Sequence, residues 1–150
     1  MPPSPSPPPD LIDRNALARF RARAARAPVD FLHIEAAEQV SERLIEVNRT
    51  FTDAAIVGPR AKVWQSVFAR TGALADARLA EDADVLDLAE TSLDLVVHAL
   101  CLHAANDPVG QLIQMRRALR PDGLMIAALF GGTMEYLRRL SIGRFRSIRL

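Results

Sequence analysis

A chain of 150 residues with 49% hydrophobic content can bury one ordinary core, and its net charge of +1 gives no general attraction for nucleic acid or an acidic membrane. No uninterrupted apolar stretch approaches the roughly 20 residues that span a bilayer. The lone cysteine, Cys101, excludes an intrachain disulfide framework and suits a reducing compartment.

Residues 1–10, MPPSPSPPPD, cannot sustain a helix or a strand ladder and read as a mobile polyproline-II-like tail. An arginine-rich helix is expected over Leu11–Ala27, with Leu17 and Phe20 on one side. Asp10, Asp13 and the lack of an apolar signal core argue against a targeting leader, so the segment reads as a surface helix of a cytoplasmic protein. Asp30 is placed to cap a second helix, from about Phe31 to Arg49. Phe31, Ile34, Val40, Leu44 and Val47 mark its core side, and Glu35, Glu38, Glu42 and Glu46 its wet side. His33, in its first turn, reads as a surface or capping histidine. Residues 11–50 are thus expected to form a helical N-terminal segment ahead of the core.

An α/β core follows over residues 51–140. Its first strand is expected at Asp53–Val57, ending at Gly58. The helix after it, about Lys62–Arg70, turns Val63, Val67 and Phe68 to the sheet, with Trp64 at its edge, and Thr71-Gly72 ends it. Ala73–Asp76 is a weak strand, and an acidic stretch, Asp82-Ala83-Asp84-Val85-Leu86, comes next. Leu93 to Leu100 is an apolar run suited to a strand covered on both faces. Cys101 sits at its end as a buried structural thiol. Neutral histidine can serve as a general base. His98 lies inside this strand, where a satisfied core histidine is the competing reading. His103 lies just past it, at the end where open α/β sheets bind ligands.

Asp107 then caps a helix that has Pro108 at its first position. Val109, Leu112, Ile113 and Leu119 form its apolar stripe, while Arg116, Arg117 and Arg120 favour the negative end of its dipole. Pro121-Asp122-Gly123 stops it before the strand Leu124–Phe130. Strand, crossover helix and strand make a βαβ unit of a parallel sheet. No HxxxH, CxxC or G-x-S-x-G pattern points to a metal centre or a hydrolase.

The order of an acidic strand, Leu102-His103, Asn106-Asp107, Leu119-Arg120-Pro121-Asp122-Gly123 and an apolar strand ending in Gly131-Gly132 resembles class I S-adenosylmethionine-dependent methyltransferases of type 11. Gly131 to Arg138, GGTMEYLR, is similar to a run in one branch of that family. The branch holds the biotin-pathway malonyl-carrier-protein methyltransferase and the mitochondrial complex I assembly factor that hydroxylates an arginine. The segment DRNALARFRARAARAP resembles that branch's basic leader, part of a cap over the cofactor pocket.

The resemblance implies a Rossmann-like methyltransferase sheet with helices on both faces, binding S-adenosyl-L-methionine and acting on a small-molecule or protein substrate. It assigns Gly58 to the close turn, Asp76 to the ribose hydroxyls at the second strand, and Asp82, with Ala83, to the adenine after the third. His98 falls beside the cofactor and His103 is the candidate base. Asp94 is structural. The chain departs from the family in having one glycine, Gly58, where the turn has two or three. It also has Pro59, which lacks an N–H, and Asp87 in place of a proline. A plain strand-to-helix turn therefore stays open beside a functional loop, and a non-catalytic assembly factor for a respiratory complex beside an enzyme. After Arg138 the family adds a helix and two strands, where this chain runs RLSIGRFRSIRL and stops. The last strands are thus expected to be missing and residues 141–150 to form a basic tail. Leu124–Phe130 would then be an exposed sheet edge open to self-association.

Overall fold

The computed structural model describes residues 10–130. Most of the proline-rich tail, the Gly131–Arg138 run and the basic tail lie outside the described residues. Helix α1 (Arg14–Ala24) and helix α2 (Phe31–Glu46) precede strand β1 (Ala54–Val57), helix α3 (Ala61–Thr71) and strand β2 (Arg78–Ala80). Strand β3 (Leu93–Ala99), a short 3₁₀ turn at Leu102–Ala104, helix α4 (Pro108–Ala118) and strand β4 (Leu119–Ala128) follow. All strand pairs are parallel, in the order β2-β1-β3-β4.

Alternation along β1 and β3 divides the core into two layers. Ala54, Ile56, Leu95, Val97 and Ala99 pack with Val40 and Leu44 of α2 and Trp64, Val67 and Phe68 of α3. Ala55, Val57, Leu93 and Val96 face Met115 and Ala118 of α4 on the other side. From the centre the chain steps outward twice, through α3 to β2 and through α4 to β4. The two steps part between β1 and β3, which makes the carboxyl ends of those strands the topological switch point where such sheets bind ligands.

Several local expectations change. Phe31 and Val47 of the second helix are 63% and 50% exposed, and its buried face is Ala37, Val40, Ser41 and Leu44. Asp30 stands at that helix's start without a capping bond, because its carboxylate is engaged by Arg60. On α4, Val109 and Ile113 are exposed while Gln111, Met115 and Ala118 are buried, so a polar side chain lies on the core face for a reason given below. Ala73–Asp76 is not a strand. The alanines there have little β preference, Leu74 drops into the core, and pairing begins at Arg78. The resemblance implied two strands between the α3 helix and Asp82, and one stands there among the described residues. A parallel crossover takes about a dozen residues, and the segment has no room for a second.

The start of α4 matches the sequence expectation, but its end comes earlier: Leu119 and Arg120, expected on the helix, already belong to β4. Asp107 accepts a bond from Gly110 N (2.7 Å) and Pro108 opens the helix. Leu93 pairs with Leu119 but Leu95 pairs with Leu124, so Arg120–Gly123 loops out of the ladder, with the positive φ at Asp122 (66°). At Gly123 a Cβ would lie 2.8 Å from Leu119 Cδ2 and 3.0 Å from Arg120 O. Gly123→Val should therefore cost roughly 1–3 kcal/mol of stability, read as a fall in the urea midpoint. An unchanged midpoint would show that the loop repacks freely.

Candidate functional site

Gly58 closes β1 with φ 149°, and a Cβ there would come within 3.0 Å of Ala99 O and 3.2 Å of Cys101 Sγ. The turn needs glycine for conformation and for the close approach of β3. Little of its backbone is left for a ligand. Gly58 N donates to Ala80 O (2.9 Å), Pro59 has no N–H, and Ala61 N donates to Gly58 O (3.2 Å). Leu100, immediately after β3, also has positive φ (54°), an uncommon conformation for leucine, so both walls of the switch point carry special backbone.

Beneath the turn lies a buried polar chain. His98 is wholly buried, and its Nε2 lies 2.9 Å from Gln111 Oε1. Gln111 Nε2 donates to Ala83 O (2.8 Å), which leaves its oxygen to accept from His98 Nε2–H. His98 Nδ1 is then an acceptor, with Cys101 Sγ at 3.4 Å. The chain joins β3, α4 and the loop after β2, and accounts for Gln111 on the core face of α4. Burial pushes the Cys101 thiol up to about 12, with the Asp82 carboxylate acting in the same direction. That thiol is a structural group.

Burial also lowers the pKa of His98, and the nearby His103 adds to this, while the Gln111 bond and Asp82 pull the other way. His33 is lowered by burial and by Arg60, against Asp30. A histidine lowered in the folded state contributes stability that is whole above the unfolded value of about 6.5. It is lost as pH falls below that value, because the unfolded chain then takes up protons the folded one refuses. Urea midpoints should be flat from pH 8 to 7 and decline from about 6.5 downward. The His98 share of that slope is bounded near 1.4 kcal/mol per pH unit, and His98→Gln should flatten it. Stability that rises on acidification to pH 5.5 would contradict the neutral His98 network.

The remaining expected residues fall in two places. Asp82 follows β2 at the carboxyl end of the sheet and is buried, with Arg21 bonding both of its oxygens (2.9 and 2.6 Å). His103 lies in the 3₁₀ turn at the same end, exposed, with its ring edge-on to Phe130 at 5.5 Å. Ala83 contributes its carbonyl to Gln111, and its side chain is exposed. The geometry thus groups Gly58, Asp82, Ala83, His98 and His103. Asp76 is set apart. It precedes β2 at the amino end of the sheet and accepts from Gln65 Nε2 (2.7 Å).

Two partners of the site were not legible in the sequence. Trp64, expected at an edge, is fully buried and donates from Nε1 to His33 Nδ1 (3.0 Å). Since indole can only donate, His33 carries its proton on Nε2. His33, Asp30, Arg60, Pro59 and Arg21 line a cleft of about 490 Å³ between the α1–α2 elbow and the Gly58 turn. Among the described residues no group of three or more His, Cys, Asp or Glu side chains is placed to hold a metal ion. No described helix is long and apolar enough to cross a membrane.

The methyltransferase domain family matches residues 41–127. The human protein Arginine-hydroxylase NDUFAF5, mitochondrial, is 30% identical over 157 aligned residues, covering 89% of this chain and 46% of the relative. The mouse protein of that name gives the same figures, and the Danio rerio one is 29% identical over 133 residues, 75% of this chain and 41% of its own length. The chain spans about half the length of these curated relatives. No solved structure matches.

Proposed function

The chain belongs to the class I methyltransferase-domain family, and from that premise we propose that it binds S-adenosylmethionine across the carboxyl ends of β1 and β3 and transfers the methyl group to a small-molecule or protein acceptor. The observation that carries this reading is Asp82, a buried carboxylate at the ligand-binding end of the sheet. A carboxylate there is an acceptor of the right chemistry for the hydroxyls or amino group of an adenosine. The residues fit that half of the cofactor. The Gly58 turn, with few free N–H groups, offers less to the other half.

When bound, the cofactor supplies an electrophilic methyl group. The chain's part is mostly positioning. Asp82 anchors, Gly58 lets β3 approach closely enough to form the floor, and the His98–Gln111–Ala83 chain holds the Asp82 loop against β3. His103, exposed at the same end, is the group placed to take a proton from the acceptor. The relatives are named arginine-hydroxylases, which leaves the acceptor to be found by assay.

One observation favours a second reading, a non-catalytic scaffold on the same fold, and that is the turn's poverty in free N–H groups. A thermal-shift assay separates the two. S-adenosylmethionine at about 100 times its Kd should add roughly 2.7 kcal/mol of stability, several degrees in Tm. Asp82→Ala should abolish most of the shift. A folded protein that shows no shift at millimolar ligand leaves the scaffold reading.

A further inference from the structure

We propose that α1 is a displaceable strap whose Arg21 guanidinium occupies Asp82 in place of the cofactor, so that docking of α1 and binding of the adenosine group exclude each other. The inference rests on the reading of Asp82 as the cofactor's anchor. It adds a built-in competitor for that anchor.

Three observations carry it. The first is how α1 is held. It buries none of its residues, and Leu11 and Phe20 beside and within it are 72% and 64% exposed. Ala16 and Leu17 are only half-buried, and an 11-residue helix with so little apolar packing has little stability of its own. Its hydrogen-bonded attachments are few. Ile12 N donates to Asn106 Oδ1 (2.8 Å), Arg14 donates to Asp82 O (3.1 Å) and pairs with Asp84, and Arg21 pairs with Asp82.

The second observation is where those attachments land. Asn106 follows β3, and Asp82 and Asp84 follow β2, so α1 reaches from one side of the β1 end to the other. It lies over the switch point itself. The third is the geometry at Asp82. Both carboxylate oxygens are engaged by one planar guanidinium in a bidentate arrangement. Each oxygen keeps a lone pair, but Asp82 is only 5% exposed with Arg21 in place, so a ribose or adenine group has no open approach to those oxygens until Arg21 leaves. The strap is therefore the low-stability element of the fold, placed where opening it exposes the site. The apparent affinity for the cofactor is reduced by the fraction of molecules in which α1 is undocked.

Hydrogen exchange and calorimetry on the full chain test this, with S-adenosylhomocysteine, the demethylated product, as probe. Without ligand, Arg21→Gln and Asp82→Asn should each speed exchange of the α1 amides while leaving β3 unchanged. In the native chain, saturating probe should speed α1 exchange as well. Arg21→Gln should bind the probe about tenfold more tightly, as expected when a competing state is removed, and Asp82→Asn should bind it weakly or not at all. Weaker or unchanged binding by Arg21→Gln overturns the proposal, as does probe that slows α1 exchange, since α1 would then close over the ligand. If Asp82→Asn binds as well as the native chain, the cofactor is not held through Asp82, and the anchor and the strap fail together; tight binding by the native chain with unchanged binding by Arg21→Gln removes the strap alone. If no variant binds probe, both fail together. Unchanged α1 exchange in both unliganded variants overturns the attachment itself.

Discussion

Trp64→Ala should lower stability by about 3–5 kcal/mol, the largest single effect expected in this chain. Trp64 is wholly buried in the layer between α2, α3 and the sheet, edge-on to Phe68 at 5.9 Å and bonded to His33. Removing the indole opens a cavity at the junction of two helices and strands the acceptor nitrogen of His33. A domain of this size has on the order of 5–15 kcal/mol in total, so the urea midpoint should fall by roughly a fifth or more. Trp64→Phe keeps most of the volume and should lose far less, which separates packing from the bond to His33. A Trp64→Ala protein within about 1 kcal/mol of the native chain would mean that α3 does not dock on α2 through this residue.

Gly58→Val should cost about 3 kcal/mol or more, from two sources. A β-branched residue at φ 149° is strained by about 1–3 kcal/mol. Its Cβ would also press on Ala99 O at 3.0 Å, a backbone atom at the end of the central strand β3 that cannot move aside cheaply. The variant should show a matching drop in midpoint together with loss of cofactor binding, because the turn and the end of β3 must part. Gly72→Ala is the control. Gly72 also has positive φ (76°), but a Cβ there meets nothing within 4 Å, so only the conformational part should be lost. Equal costs at the two glycines would remove the argument that β1 and β3 meet closely at the site.

The sequence made the second half of the fold legible because its signals are local. Asp107-Pro108 opens α4, Pro121-Asp122-Gly123 lies within a few residues of its end, and the short apolar run from Leu93, rich in β-formers, suits a covered strand. The Ala-rich segment before Arg78 carries no such signal, so β2 was expected too early and Asp76 was placed at the wrong end of the sheet. The face of α4 misled for another reason. Periodicity puts apolar residues inward, but His98 needs a polar partner, and Gln111 is buried to provide it. Of the candidate site, Gly58, Asp82, His98 and His103 were named from order along the chain, and they lie together at the carboxyl end of the sheet. The pairs that decide how the site behaves could not. Arg21 and Asp82 are 61 residues apart, and His33 and Trp64 are 31 apart. Neither pairing has a spacing that sequence alone can read.

The central claim is that an adenosine-bearing cofactor binds at the switch point through Asp82, and calorimetric titration of the purified chain with S-adenosylmethionine tests it most directly. Saturable binding at one site per chain is expected, abolished by Asp82→Ala in a protein that keeps its native stability to within about 1 kcal/mol. No binding at millimolar ligand by well-folded chain, or binding that Asp82→Ala leaves intact, would contradict it.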